Sequence, residues 1–209
     1  MKNKTTTLIT CELLVALSAA GSMIKLWQAP YGGSVTLLAM IPLIAASCLF
    51  GVKWGVATGF VASCVQLVLG LSNIAYVPTA WGMALCIFLD YIAAYTVIGF
   101  SGFLCPKGYY NLGGDNKISA GMILKSVAGA AVCIAVRYAC HVVSGAVIWY
   151  SLDKIWYEDD AAHIVNRFGA WAFSVIYNGT FMLPEAVLTL AVLPSVLKIS
   201  AKLRSRIRQ

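Results

Sequence analysis

Three side chains in this sequence are suited to hold a polar ligand: Asp90, His141 and Asn178. Each falls inside a long apolar run, where a group that ionises or hydrogen-bonds is costly and marks function by default. Asp90 lies nine residues past Trp81, His141 eight before Trp149, and Asn178 nine past Gly169. At 1.5 Å per helical residue, all three sit roughly 12–14 Å below one boundary. An acid, an imidazole and an amide at one depth on three helices are what a pocket in a bundle requires. A hydrogen-bonded cluster joining the helices satisfies the same pattern.

The neighbouring residues favour a ligand. Arg137, His141, Ser144 and Gly145 repeat at i, i+4, i+7 and i+8, a single polar and small-residue stripe. Tyr91, Tyr95, Tyr138, Trp149 and Tyr177 flank that level or stand above it. An aromatic belt at the membrane surface accounts for Trp81 and Trp149 alone, but not for a carboxylate and an imidazole beneath them. A carboxylate beside aromatic faces suits a flat, cationic or hydrogen-bonding heterocycle, which stacks on the rings while the acid offsets its charge. No nucleophile or metal triad accompanies Asp90 and His141, so the chain reads as a binder rather than an enzyme. Glu12 and Glu185 are the other acids within apolar runs, and both read as structural. The seven cysteines form no CxxC pair and read as small packing residues.

These groups need a membrane scaffold to position them. Of 209 residues, 60% are hydrophobic and 11% charged, whereas soluble domains carry about 25% charged residues. The composition excludes a cytosolic enzyme, a disordered chain and a disulfide scaffold. Apolar runs at 8–27, 34–50, 54–71, 81–104, 120–149 and 169–197 predict an all-α integral membrane protein, one domain of six transmembrane helices. The first run lacks a cleavage site followed by a polar chain and is a span rather than a signal peptide. A turn at Gln28–Gly33, a loop from Ser72 to Pro78, a polar stretch from Cys105 to Ser119 and an acidic loop from Tyr150 to Arg167 separate the runs.

The net charge of +7 is concentrated at the termini: Lys2 and Lys4 at one end, and Lys198, Lys202, Arg204, Arg206 and Arg208 in a basic tail over 198–209. That placement points to lipid headgroups rather than nucleic acid. With both termini cytoplasmic, Lys53, Lys107 and Lys117 also fall inside, and the acidic loop falls outside. A multi-pass protein of the cell membrane is expected. The glycine spacing at Gly108–Asp115 imitates a phosphate-binding loop, but Asp115 stands where Lys and Ser or Thr are needed, so the chain holds no ATPase of its own. On the first helix, Ala16 and Ala20 form a small-xxx-small surface for packing or for docking another membrane protein.

The segments Leu89-Asp90-Tyr91, Arg137-Tyr138-x-x-His141-x-x-Ser144-Gly145-x-x-x-Trp149 and Tyr177-Asn178-Gly179, set in six spans, resemble the thiamine-specific S components of energy-coupling-factor (ECF) vitamin transporters, the ThiT family. The resemblance implies a six-helix subunit that captures thiamine, or a related pyrimidine or thiazole compound, from outside. It implies partners as well: a transmembrane coupling protein and two ATPases, which hydrolyse the ATP, leaving this chain without cofactor or catalysis. By position, Asp90, Tyr91, His141, Trp149 and Asn178 would be the substrate-binding residues, with Tyr177 and Tyr138 beside them, and Ala16 and Ala20 the docking motif. Three positions depart from the family: Asp90 stands in place of Glu, Phe173 in place of a tyrosine, and the family's tryptophan before the second span falls near Gly33, with Trp27 or Tyr31 as substitutes. An S component for another vitamin, an ion-coupled secondary transporter using Asp90 and His141, and a small membrane enzyme are the alternatives.

Overall fold

Long apolar runs with no polar break longer than a short loop satisfy their backbone hydrogen bonds internally, and helices are the economical way to do so in lipid. The computed structural model describes residues 4–29, 33–36, 38–105, 107–109 and 118–207, with side chains through residue 202. In chain order these form α1 (Lys4–Met23), a hairpin of β1 (Lys25–Gln28) and β2 (Ser34–Thr36), α2 (Met40–Phe50), α3 (Val52–Leu69), a turn of helix α4 (Leu71–Ile74), α5 (Ala80–Ile98), α6 (Ala120–Trp156), a short α7 (Ile164–Arg167) and α8 (Ala170–Ile207). Tyr31, Lys117 and most of the glycine-rich turn ending at Asp115 lie outside the described residues, as do the side chains of Arg204 and Arg206.

Among the described residues, α1, α3, α5, α6 and α8 are long and apolar enough to cross a bilayer. The expected second span folds differently. Its first residues form β2, and the remainder is the 11-residue α2, about 17 Å long against a hydrocarbon core of about 30 Å. Met40 to Leu49 are all buried, so this apolar segment faces protein and not lipid. The first span keeps its expected length of 20 residues but begins and ends four residues earlier. Its helix stops at Met23, and Lys25–Gln28 pair with Ser34–Thr36 in an antiparallel ribbon, Lys25 opposite Thr36 and Gln28 opposite Ser34.

The acidic loop expected from Tyr150 needs correction. Helix α6 continues through Trp156, and Asp153 is buried within it at 1% exposure. The apolar residues Leu152, Ile155 and Trp156 sustain the helix past the point where charge suggested an end. Glu158, Asp159 and Asp160 do lie exposed beyond it.

The helices close a ring: α1 on α2 and α3, α3 on α5, α5 on α6, α6 on α8, and α8 back on α2 and β2. One half of the ring is solid. Val15, Leu43, Ile44, Cys48, Ile98, Ala130, Ile134, Leu193 and Leu197 fill it. Helices α3 and α5 cross at glycines: a Cβ on Gly55 would lie 2.3 Å from the Gly99 carbonyl oxygen, and one on Gly99 would lie 2.2 Å from the Gly55 oxygen. Two polar contacts register α1, Ser18 Oγ donating to the Ala39 carbonyl at 2.7 Å in the interior and Gln66 Nε2 donating to the half-buried Ser22 Oγ at 2.9 Å. The opposite half of the ring is hollow, and the hairpin lies against it.

Candidate ligand-binding cavity

Two helices of the hollow half contain π turns. One spans Ile87–Ala93 in α5 and the other Gly145–Trp149 in α6. A π turn bonds i to i+5 and inserts one residue, rotating everything beyond it by about 100° relative to a continuous α-helix. On α6 the cavity residues are Arg137, His141, Gly145, Trp149 and Asp153, spaced by four throughout. In an uninterrupted α-helix, four such steps drift by about 160°. The π turn takes back most of that drift, so Trp149 and Asp153 stay on the face that carries His141. The other π turn holds Asp90 and Tyr91.

The cavity encloses about 430 Å³ and is walled by α5, α6 and α8, with the hairpin and the C-terminal ends of α1 and α3 completing it. That volume falls in the range of small-molecule sites. Asp90 is its most connected group. Its Oδ1 accepts from His141 Nδ1 at 2.9 Å, and its Oδ2 accepts from Ser144 Oγ at 2.6 Å, Trp149 Nε1 at 3.2 Å and Cys86 Sγ at 3.4 Å. An ionised carboxylate only accepts, so Nδ1 carries the shared proton and Nε2 is left for a further contact. His141 Nε2 is buried without a partner among the described residues. Asp90 thus fixes the ring planes of His141 and Trp149 and the tautomer of the imidazole. Cys86, expected only to pack, contributes to this network.

Asn178 joins the same cluster from α8, its Nδ2 donating to the His141 carbonyl at 3.2 Å and to the Ser174 carbonyl at 2.9 Å. The three polar groups expected at one depth therefore meet. Tyr91 lines the cavity with its hydroxyl on the Gly70 carbonyl at 3.1 Å. Tyr177 lines it too, stacked on Phe173 at 5.9 Å between centroids. Gly145 lets α6 and α8 approach, since a Cβ there would lie 2.2 Å from Ser174 Oγ and 3.0 Å from Asn178 Nδ2.

Tyr138 is a correction. It does not line the cavity; its hydroxyl donates to the Val175 carbonyl at 2.7 Å, and its ring packs beside Val35, Phe181 and Met182. It is one residue, about 100°, around the helix from Arg137, so it bridges α6 to α8 outside the pocket. Trp27 is also absent from the cavity wall and lies half exposed on β1.

Of the lining residues that were not anticipated, Phe181 and Asp153 matter most. Phe181, buried at 7%, sits edge-on to His141 at 6.5 Å and fills the space beside Gly33, where a Cβ would lie 2.4 Å from its ring. The spacing Phe173, Tyr177, Phe181, Glu185 on one face of α8 was the available signal. Asp153 was hidden by its place among loop acids. Arg137, the first residue of the polar stripe, and Glu185, expected to be structural, also line the cavity. Arg137 lies over the Tyr95 ring at 4.2 Å, with Nε and one terminal nitrogen unpartnered among the described residues. Glu185 accepts from Thr36 Oγ1, tying β2 to α8.

Ala16 and Ala20 are exposed on α1, turned away from the bundle together with Glu12, Leu13 and Leu17. Ser18 and Val15 occupy the packed side of the helix instead.

Comparison with known proteins agrees with this architecture. The family model described as "Thiamine transporter protein (Thia_YuaJ)" matches residues 8–205. The thiamine transporter ThiT of Bacillus subtilis (strain 168) is 32% identical over 164 residues, covering 78% of this chain and 74% of that protein. The solved ThiT from Listeria monocytogenes has a TM-score of 0.66 at 22% identity, over 96% of this chain and 97% of the other, a likeness of fold. Matched along nearly its whole length, and built of several helices long and apolar enough to span a bilayer, the chain is a multi-pass membrane protein belonging to the thiamine transporter protein family.

Proposed function

We propose that this protein is the substrate-capture (S) subunit of an ECF-type importer and takes thiamine into the cavity between α5, α6 and α8. The observation that carries the reading is the cluster in which Asp90 holds His141 and Trp149 over a cavity of about 430 Å³, in a chain of the thiamine transporter family. Trp149 supplies a face for a flat heterocycle. His141 Nε2, Asn178 and the Tyr91 and Tyr177 walls supply directional contacts. Three acidic side chains, Asp90, Asp153 and Glu185, line the cavity beside Lys25 and Arg137, a lining that suits a cationic ligand such as thiamine.

In this reading α2 and the hairpin complete a six-segment bundle, both termini face the cytoplasm, and the cavity opens outward. The exposed Ala16 and Ala20 surface receives the coupling protein, close approach being the property of small residues. Two ATPases in the partner complex supply the energy, and this chain catalyses nothing. Reconstitution into proteoliposomes tests the reading. With coupling protein, ATPases and ATP, labelled thiamine accumulates; with this chain alone it does not. Accumulation by the chain alone, driven by an ion gradient, would contradict it.

A further inference from the structure

The backbone at Gly33 does not require a glycine. Among the described residues, only Leu38, Gly51 and Gly108 have a left-handed φ, so the chain at position 33 would accept an L side chain. The obstacle is another residue. A Cβ at Gly33 would run into the ring of Phe181, which reaches across from α8. That ring lines the cavity, stands edge-on to His141 at 6.5 Å and to Tyr177 at 5.9 Å between centroids, and packs with Ala29 and Val35 of the hairpin. Tyr177, one turn earlier on α8, meets the Gly33 backbone. Among the described hairpin residues, 25–29 and 33–36, Trp27 is the one aromatic, and it lies half exposed and off the cavity wall. The aromatic surface on the hairpin side of the cavity thus comes from α8, through Phe181. A ring wedged between packed neighbours is already ordered when a ligand arrives, and preorganisation of that kind favours binding.

We propose that Phe181 is an affinity-determining aromatic wall of the cavity and that Gly33 is the notch that seats it. The two positions form an exchangeable pair. The space between them holds one large flat side chain, supplied here by the helix, and the same space would take one supplied by the hairpin. The inference rests on the thiamine reading above and adds to it the residue that gives the ligand an aromatic surface on the hairpin side. It also separates two roles that burial alone would merge: a ring that merely packs the hairpin against α8 can be replaced by any apolar side chain of similar size, whereas a wall that meets a flat heterocycle needs its ring.

The test is calorimetric titration of the purified, full-length protein with thiamine, for wild type, Phe181→Leu, Gly33→Trp and the double variant Gly33→Trp with Phe181→Ala. Phe181→Leu keeps an apolar side chain between α8 and the hairpin and removes only the ring. Its expected result is a loss of about tenfold in thiamine affinity, the size of one aromatic contact. Gly33→Trp alone is expected to lose at least as much, because indole and phenyl ring compete for one space. The double variant is expected to regain affinity to within about threefold of wild type, the mark of two coupled positions. Wild-type affinity in Phe181→Leu would reduce Phe181 to a packing residue and overturn the inference. A double variant as weak as Gly33→Trp alone would overturn the exchange between the two positions, and the inference with it. A folded wild type that binds no thiamine would contradict the thiamine reading itself, a failure separate from the other two.

Discussion

Trp149 occupies its position because Asp90 accepts its indole N–H and because a π turn rotates it into the cavity. Replacing it with Ala removes the stacking face and is expected to weaken thiamine binding by about 1 kcal/mol, roughly fivefold in Kd. Titration of the purified variant measures this, and an unaltered Kd would remove Trp149 from the site. Gly145 makes a sharper steric case. Gly145→Ala puts a methyl against Ser174 and Asn178, an overpacking that costs about 1–3 kcal/mol. Lower thermal stability and weaker binding are expected together, whereas a neutral result would show that α6 and α8 separate easily. Residue identities were well signalled in the sequence where type and depth coincided, as for Asp90, His141 and Asn178. They failed where an angle mattered. Tyr138 differs from its cavity-facing neighbour Arg137 by one residue, and no composition rule reports that rotation. Asp153 was concealed because a π turn, invisible in the pattern of residue types, keeps it on the cavity face.

The hairpin is the element that the apolar runs did not disclose. Hydrophobicity carried the first span on to 27 and made 34–50 look like a second, yet Lys25–Gln28 and Ser34–Thr36 pair as strands, and α2 is a buried helix too short to cross; the first span itself stands as α1. Length against burial was the missing information: an apolar run of this size serves a protein core as readily as a span. The buried pair of Thr36 and Glu185 holds the ribbon to α8. Thr36→Val leaves the Glu185 carboxylate without that donor, at a cost of about 1–3 kcal/mol. Faster thiamine release in stopped-flow dissociation is the expected readout, since the ribbon borders the cavity; unchanged release would free the hairpin from any part in retention. Helix α3 was legible to within two residues at either end, and the starts of α5 and α8 to within one, because lipid permits so few alternatives; their ends were not, since α5 stops at Ile98 and α8 runs on to Ile207.

Over the whole molecule, one half of the ring is filled by apolar side chains and the other encloses polar groups. Outside, Leu13, Leu17, Trp81, Leu124 and Val187 stand exposed, a surface that only lipid or another membrane protein covers. Ala16→Trp with Ala20→Trp would hold a partner helix away. Thiamine binding to the isolated subunit is expected to persist while uptake by the assembled transporter falls, and preserved uptake would move the docking surface elsewhere. The most direct test of the central claim is a tryptophan-fluorescence titration of the purified protein with thiamine. Saturable quenching by thiamine, reduced to a fraction in Trp149→Phe, is the predicted result. A flat titration with folded wild-type protein would contradict the assignment of this cavity to thiamine.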